Sequence, residues 1–162
     1  MAYSVLDSCD PSKRRQFVAG TILLREGTRS GYIYVLERGS VEVLRGETVV
    51  AVVSEVGALF GEMSLLLDIP HTAEVRAKTD CALFAYDDAQ AFLESDPQTA
   101  LAIARVLAHR LNMATTYLVD LKKQYAGQNN HLGMVSDVLA SLVNQQPILF
   151  DPGSDRQPDP RT

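Results

Sequence analysis

Two short runs hold the residue types that can do chemistry on an anion: Phe60-Gly61-Glu62-Met63-Ser64, and Pro70-His71-Thr72-Ala73-Glu74-Val75. Leu59-Phe60, then Gly61-Glu62 followed by M-S-L-L-L, reads as a strand that turns at a glycine into a short helix. Backbone N–H groups are exposed at such a turn. Together with the positive end of the helix dipole they attract an anion, and glycine lets a phosphate approach the backbone with no Cβ in the way. A glycine needed only for the corner explains the same residues equally well. Glu62 is favoured in a first helical turn by the dipole alone. Thr72 is either an ordinary β-branched strand residue or a hydroxyl aimed at a ligand. His71 is the one side chain of the two runs that titrates near neutrality.

Other chemistries lack their residues. His71, His109 and His131 are far apart and fall in different elements, so no metal cluster is expected; a cupin-type metal barrel needs several converging histidines, and the β-rich half supplies only His71. Cys9 and Cys81 are too few for a disulfide framework or a zinc site, and Cys81 sits in an apolar strand where a small buried hydrophobe is the usual role. No P-loop, nucleophile elbow or Ser-His-Asp order is present, so no enzymatic activity is expected. His109, beside Arg110 in a long helix, reads as an interface or surface residue. Lys13-Arg14-Arg15 reads as a solvated helix end.

The elements that must position the two runs change character along the chain. From Phe17 to about Tyr86 the sequence is β-rich: TILLREG, YIYVLERG, SVEVLRG and TVVAVVSEVG each end near a glycine, and HTAEVRA and CALFAY add two more strands. Many short strands with glycine corners predict a roll. Arg45-Gly46-Glu47 reads as a hairpin turn. After Tyr86, Asp87 or Asp88 caps a short helix through Glu94, and Asp96-Pro97 opens a long one. Its apolar residues Ile103, Leu107, Leu111, Ala114, Leu118 and Leu121 recur at steps of three and four and share one stripe. That stripe either packs on the roll throughout or pairs its distal half with a second copy, and the second is preferred. A break at Gly127, Asn129 and Asn130 precedes an amphipathic stretch carrying Val135, Val138, Leu139 and Leu142. The Pro- and Asp-rich end reads as a disordered tail.

With 162 residues and 46% hydrophobic content, the chain suffices for one core. A net charge of -5 is the wrong sign for a duplex DNA partner. No apolar run is long enough for a membrane span, and the first residues do not follow the order of a secretory signal, so a soluble, cytoplasmic protein is expected.

At the two runs the pattern goes beyond a generic turn. F-G-E-M-S-L-L, then P-H-T-A-E-V, closely resembles the phosphate-binding cassette of cyclic-nucleotide-binding domains, whose pattern is F-G-E, Leu or Met, Ala or Ser, L-L, a short gap, and P-R followed by a small residue, A, any residue and V. The resemblance runs from Phe17 to Tyr117, through Gly20, Glu26-Gly27, Tyr32-Ile33, Gly39, Val41-Glu42-Val43 and Gly57, then Ala77, Thr79-Asp80, Phe92 and His109-Arg110-Leu111. It implies an α+β, mainly β, fold: an eight-stranded antiparallel β-roll or jelly roll with a short cassette helix and C-terminal helices, related to the catabolite-activator sensor domain. The expected organisation is an N-terminal segment over 1–16, the roll over 17–96, lid and dimerisation helices over 97–146 and the tail over 147–162.

The resemblance also implies a ligand, cAMP or cGMP, and a site made of Gly61, Glu62, Met63, His71, Thr72 and Ala73. Gly61 and neighbouring amides would face the cyclic phosphate, Glu62 would accept from the ribose 2′-hydroxyl, and Thr72 would hold a phosphate oxygen or contact guanine. His71 stands where the family has arginine. Histidine offers one donor in place of a permanently charged fork, at a cost of roughly 1.5 to 3 kcal/mol, or about ten- to a hundredfold in affinity. A bound phosphate would favour the imidazolium and improve binding in mild acid. The other reading makes His71 a solvated loop residue in a site without nucleotide. The corresponding functions are a cyclic-nucleotide sensor signalling by conformational change, and a nucleotide-free, dimeric protein-interaction module. A homodimer through Ile103 to Leu121 and an unidentified protein partner belong to both. Beyond Tyr125 too little chain follows for a helix-turn-helix output domain.

Overall fold

A computed structural model describes the backbone of residues 3–124 and 132–144. The break expected at Gly127 to Asn130 and the tail expected over 147–162 lie outside the described residues. The chain divides into two compact units, one ending at Ala104 and one beginning at Arg105.

In the first unit, eight strands form among the described residues: β1 Arg14–Phe17, β2 Ile22–Leu24, β3 Ile33–Arg38, β4 Val41–Arg45, β5 Thr48–Val53, β6 Leu59–Phe60, β7 Glu74–Ala77 and β8 Cys81–Tyr86. They make two four-stranded antiparallel sheets, ordered β1-β8-β3-β6 and β2-β7-β4-β5. This is the expected antiparallel β-roll. Sequential strands seldom pair here; β4 and β5 do so through Gly46 and Glu47, with Arg45 opposite Thr48. Gly46 takes the positive φ of 58° that the tight hairpin demands.

The core between the sheets follows from the strand period of two. On β3, Tyr34 and Leu36 enter the central cluster with Leu24, Phe60, Val75 and Leu83, while Ile33 and Val35 on the opposite face are fully buried as well. Phe17 meets the Tyr34 ring edge-on and Tyr32 stacks on it. A 3-10 helix, Val5–Ser8, lies against β3. By contrast β5 is an edge strand whose valines remain largely outside the core.

Lys13-Arg14-Arg15, read from sequence as a solvated helix end, is divided between two elements. Pro11–Lys13 forms a 3-10 helix capped by Asp10, and Arg14 opens β1, where its guanidinium reaches the Glu37 carboxylate at 2.5 Å and lies over the Phe84 ring. With three exposed residues before a half-buried Phe17, β1 carries no alternation that would register as a strand.

Four α-helices are described: α1 Glu62–Leu67, α2 Ala89–Leu93, α3 Pro97–Gln124 and α4 Leu132–Asn144. Asp88 caps α2 by accepting from the Ala91 N–H at 3.0 Å. Asp96 accepts from the Thr99 N–H at 2.9 Å and from its hydroxyl at 2.8 Å, starting α3 as the Asp-Pro pair predicts. Thr99 is wholly buried, and its hydroxyl lies 2.6 Å from Ser8 Oγ, which also meets the Tyr3 hydroxyl. In the second unit, α3 continues with its Leu stripe incompletely covered: Leu111 is 46% exposed. Lys122 and Lys123 occupy the last turn, where the carbonyl end of the dipole favours them.

Candidate functional site

The strand β6 ends at Phe60 and the chain reverses at Gly61, whose φ of 96° is the left-handed conformation that residues with a Cβ resist. A Cβ there would also collide with the carbonyl oxygen of Tyr32. The corner therefore requires a glycine at position 61. Helix α1 follows, and Glu62 in its first turn is 3% exposed. Met63 projects outward with Leu66 and Leu67, all exposed. Helix α1 stops at Asp68, which adopts a left-handed φ of 51°, and Ile69 N–H closes back on the Ser64 carbonyl at 3.1 Å.

Pro70 then delivers His71 to the turn between β2 and β3. The His71 N–H donates to the Thr28 carbonyl, and the His71 carbonyl accepts from the Gly27 N–H, both at 2.8 Å. His71 is 5% exposed, and its Nε2 lies 2.7 Å from Ser30 Oγ. Ser30 Oγ in turn accepts from the Tyr32 N–H at 3.3 Å. Arg29, from the same turn, forms an ion pair with Asp68 Oδ1 at 2.7 Å and donates to its carbonyl at 2.9 Å. The alternative reading of His71 as a solvated loop residue does not match its burial: two main-chain hydrogen bonds draw residue 71 into the protein. Burial pushes its pKa below the ordinary value of 6.5, because desolvation penalises the cation.

Both halves of the cassette thus meet one turn. Gly61 packs on Tyr32, and His71 is held by Gly27, Thr28 and Ser30. Thr72 and Ala73 are half-buried between His71 and β7, which begins at Glu74 rather than at His71. The sequence reading missed Arg29, Ser30 and Asp68. Ser30 and His71 are 41 residues apart, and no local period links them. Among the described residues no group of three His, Cys, Asp or Glu side chains is placed to hold a metal ion, and no helix is long and apolar enough to cross a membrane.

The cyclic nucleotide-binding domain profile matches residues 14–96, from the first residue of β1 to the cap of α3. The chain belongs to the cyclic nucleotide-binding domain family. An uncharacterized ABC transporter ATP-binding protein of Mycobacterium tuberculosis is 35% identical over 97 residues, covering 57% of this chain and 28% of that protein. The cAMP-dependent protein kinase regulatory subunit of Mucor circinelloides is 29% identical over 82 residues, covering 51% of this chain and 19% of that one. The chain therefore spans less than a third of either relative. Among solved structures, the Thermus thermophilus catabolite activator protein matches with a TM-score of 0.55 and 25% identity, over 92% of this chain and 85% of that one. The fold and the cyclic-nucleotide-binding type of the domain follow from these likenesses.

Proposed function

We propose that this chain is a regulatory sensor for a cyclic nucleotide, cAMP or cGMP, with no catalytic step of its own. The observation that carries the reading is that Gly61 and His71 both meet the Gly27–Tyr32 turn, with Glu62 buried at the start of the helix that Gly61 opens. Amides at Gly61 receive the cyclic phosphate, Glu62 accepts from the ribose 2′-hydroxyl, and His71 and Thr72 supply further donors, with Met63 and Ala73 contributing backbone to the same wall. Names among the relatives, a cAMP-dependent kinase regulatory subunit and a catabolite activator, support cAMP as the first ligand to try. Signalling requires that nucleotide bind one arrangement of the C-terminal helices more tightly than another. A homodimer formed along Ile103 to Leu121, and an output through a protein partner, complete the proposal. Two free thiols, Cys9 and Cys81, fit a reducing, cytoplasmic setting.

A nucleotide-free interaction module is the second reading. It is favoured by one observation, that the residue replacing the family arginine is buried and held by Ser30. Titration calorimetry with cAMP and cGMP on the wild type and His71→Arg separates the two. Saturable binding by the wild type, roughly ten- to a hundredfold weaker than by the arginine variant, is the expected result. Binding by the variant alone, at millimolar nucleotide, establishes the module instead.

A further inference from the structure

The imidazole of His71 has one proton to place, and its surroundings decide where. Its main-chain N–H and carbonyl are already committed to Thr28 and Gly27. Its Nε2 faces Ser30 Oγ at 2.7 Å, close enough for an O–H···N bond or an N–H···O bond. The Tyr32 N–H already donates to that same oxygen. A hydroxyl that accepts one hydrogen bond keeps its own proton and a second lone pair; with Ser30 exposed, that proton can go to water or to Nε2, the acceptor within reach among the described residues. Donation by Ser30 requires a bare lone pair on Nε2, which puts the ring proton on Nδ1. Nδ1 has no hydrogen-bond partner among the described residues, yet no fully buried polar side-chain atom there goes unpaired. Nδ1 therefore retains access from outside.

We propose that Ser30 is the positioning residue of the site: it fixes His71 as the Nδ1–H tautomer, so that an uncharged imidazole presents an N–H to an anionic phosphate. The inference rests on the sensor reading for its ligand, but not for its tautomer. Ring nitrogens are distinguished by the bond each makes, and a group behind the ligand side chain that selects the tautomer governs what the front nitrogen offers. Burial works in the same direction by disfavouring the second proton. The site thereby recovers part of what the missing arginine supplied, one directed donor without charge.

The test is 15N NMR of histidine-labelled protein, free of nucleotide, followed by cAMP titration of wild type, Ser30→Ala and Ser30→Thr. The wild type is expected to show a pyrrole-type Nδ1 and a pyridine-type Nε2 for His71. Ser30→Ala returns the proton to Nε2 and weakens cAMP roughly tenfold, the worth of one directed hydrogen bond; Ser30→Thr, which keeps the hydroxyl, restores both. A proton on Nε2 in the wild type, or an unchanged tautomer and affinity in Ser30→Ala, overturns the assignment. A wild type that binds no cAMP but loses the Nδ1–H form on Ser30→Ala sinks the sensor reading and upholds the role of Ser30.

Discussion

Gly61 lies directly against the carbonyl oxygen of Tyr32, in a backbone conformation that only glycine adopts without strain. The contact joins the cassette to the start of β3, and it has no room for a methyl group. Gly61→Ala must pay for a left-handed backbone and push two main chains apart. A loss of at least about 2 kcal/mol in urea unfolding is expected. A loss below ~0.5 kcal/mol would mean that the corner relaxes freely and that Gly61 is kept for the ligand alone.

The pH dependence of stability divides into two windows. His71 has a folded pKa lowered from 6.5, so below that value the unfolded chain takes up a proton that the native protein refuses, and stability falls as pH falls. Thermal unfolding of the wild type from pH 7.5 to 5.5 should show this decline, and His71→Gln should flatten it. Asp10 and Asp96 are lowered from 3.8 by the N–H and hydroxyl groups they cap, so their contribution persists above that value and is lost only as pH falls toward their folded pKa. The His71→Gln variant should keep this acid limb unchanged.

Thr99 is the hub through which the N-terminal segment and the start of α3 share hydrogen bonds, with Ser8 on one side and Asp96 on the other. Replacing its hydroxyl by a methyl of the same shape in Thr99→Val removes one hydrogen bond from each of two partly exposed partners, Ser8 and Asp96, around a buried position. The expected cost is about 1 to 3 kcal/mol by chemical denaturation. Hydrogen exchange should quicken at Leu6 to Cys9 in the same variant; uniform exchange across the roll would show that Thr99 contributes packing only.

The partly uncovered stripe of α3 bears on assembly. If two copies pair along it, Leu111→Glu places like charges across the seam at a position that the single chain leaves 46% exposed. Sedimentation should then report a dimer for the wild type and a monomer for the variant, with the fold intact by circular dichroism. A wild-type monomer at high micromolar concentration discards the pairing.

Much of the architecture was legible because its signals are local. Glycines at the corners, the Asp88 and Asp96 caps, and alternation in Val41-Glu42-Val43 each depend on neighbours within a few residues, and each element formed where those neighbours directed. The strand that escaped notice was β1, half arginine, while the two-residue β6 formed where Leu59-Phe60 was read as a strand. At the site, the motif named Gly61, Glu62 and His71 but carried no information about burial at His71, the first residue of a run read as a strand. That burial comes from a main-chain pairing with Gly27 and Thr28, and backbone pairing across a fold leaves no mark on side-chain sequence. Ser30 was invisible because its side-chain bond to His71 spans 41 residues.

The Gly27–Tyr32 turn also limits how this chain can vary in length. Gly27, Thr28, Ser30 and Tyr32 reach four different atoms of the cassette or of one another, each at hydrogen-bonding or van der Waals range, within six consecutive residues. One inserted residue anywhere between Thr28 and Tyr32 shifts Ser30 or Tyr32 off its partner while the remaining contacts hold. Surface turns ordinarily absorb insertions, but this one works as a ruler, and a chain whose ruler is a residue too long or too short will fold its roll and still misalign the two halves of its cassette.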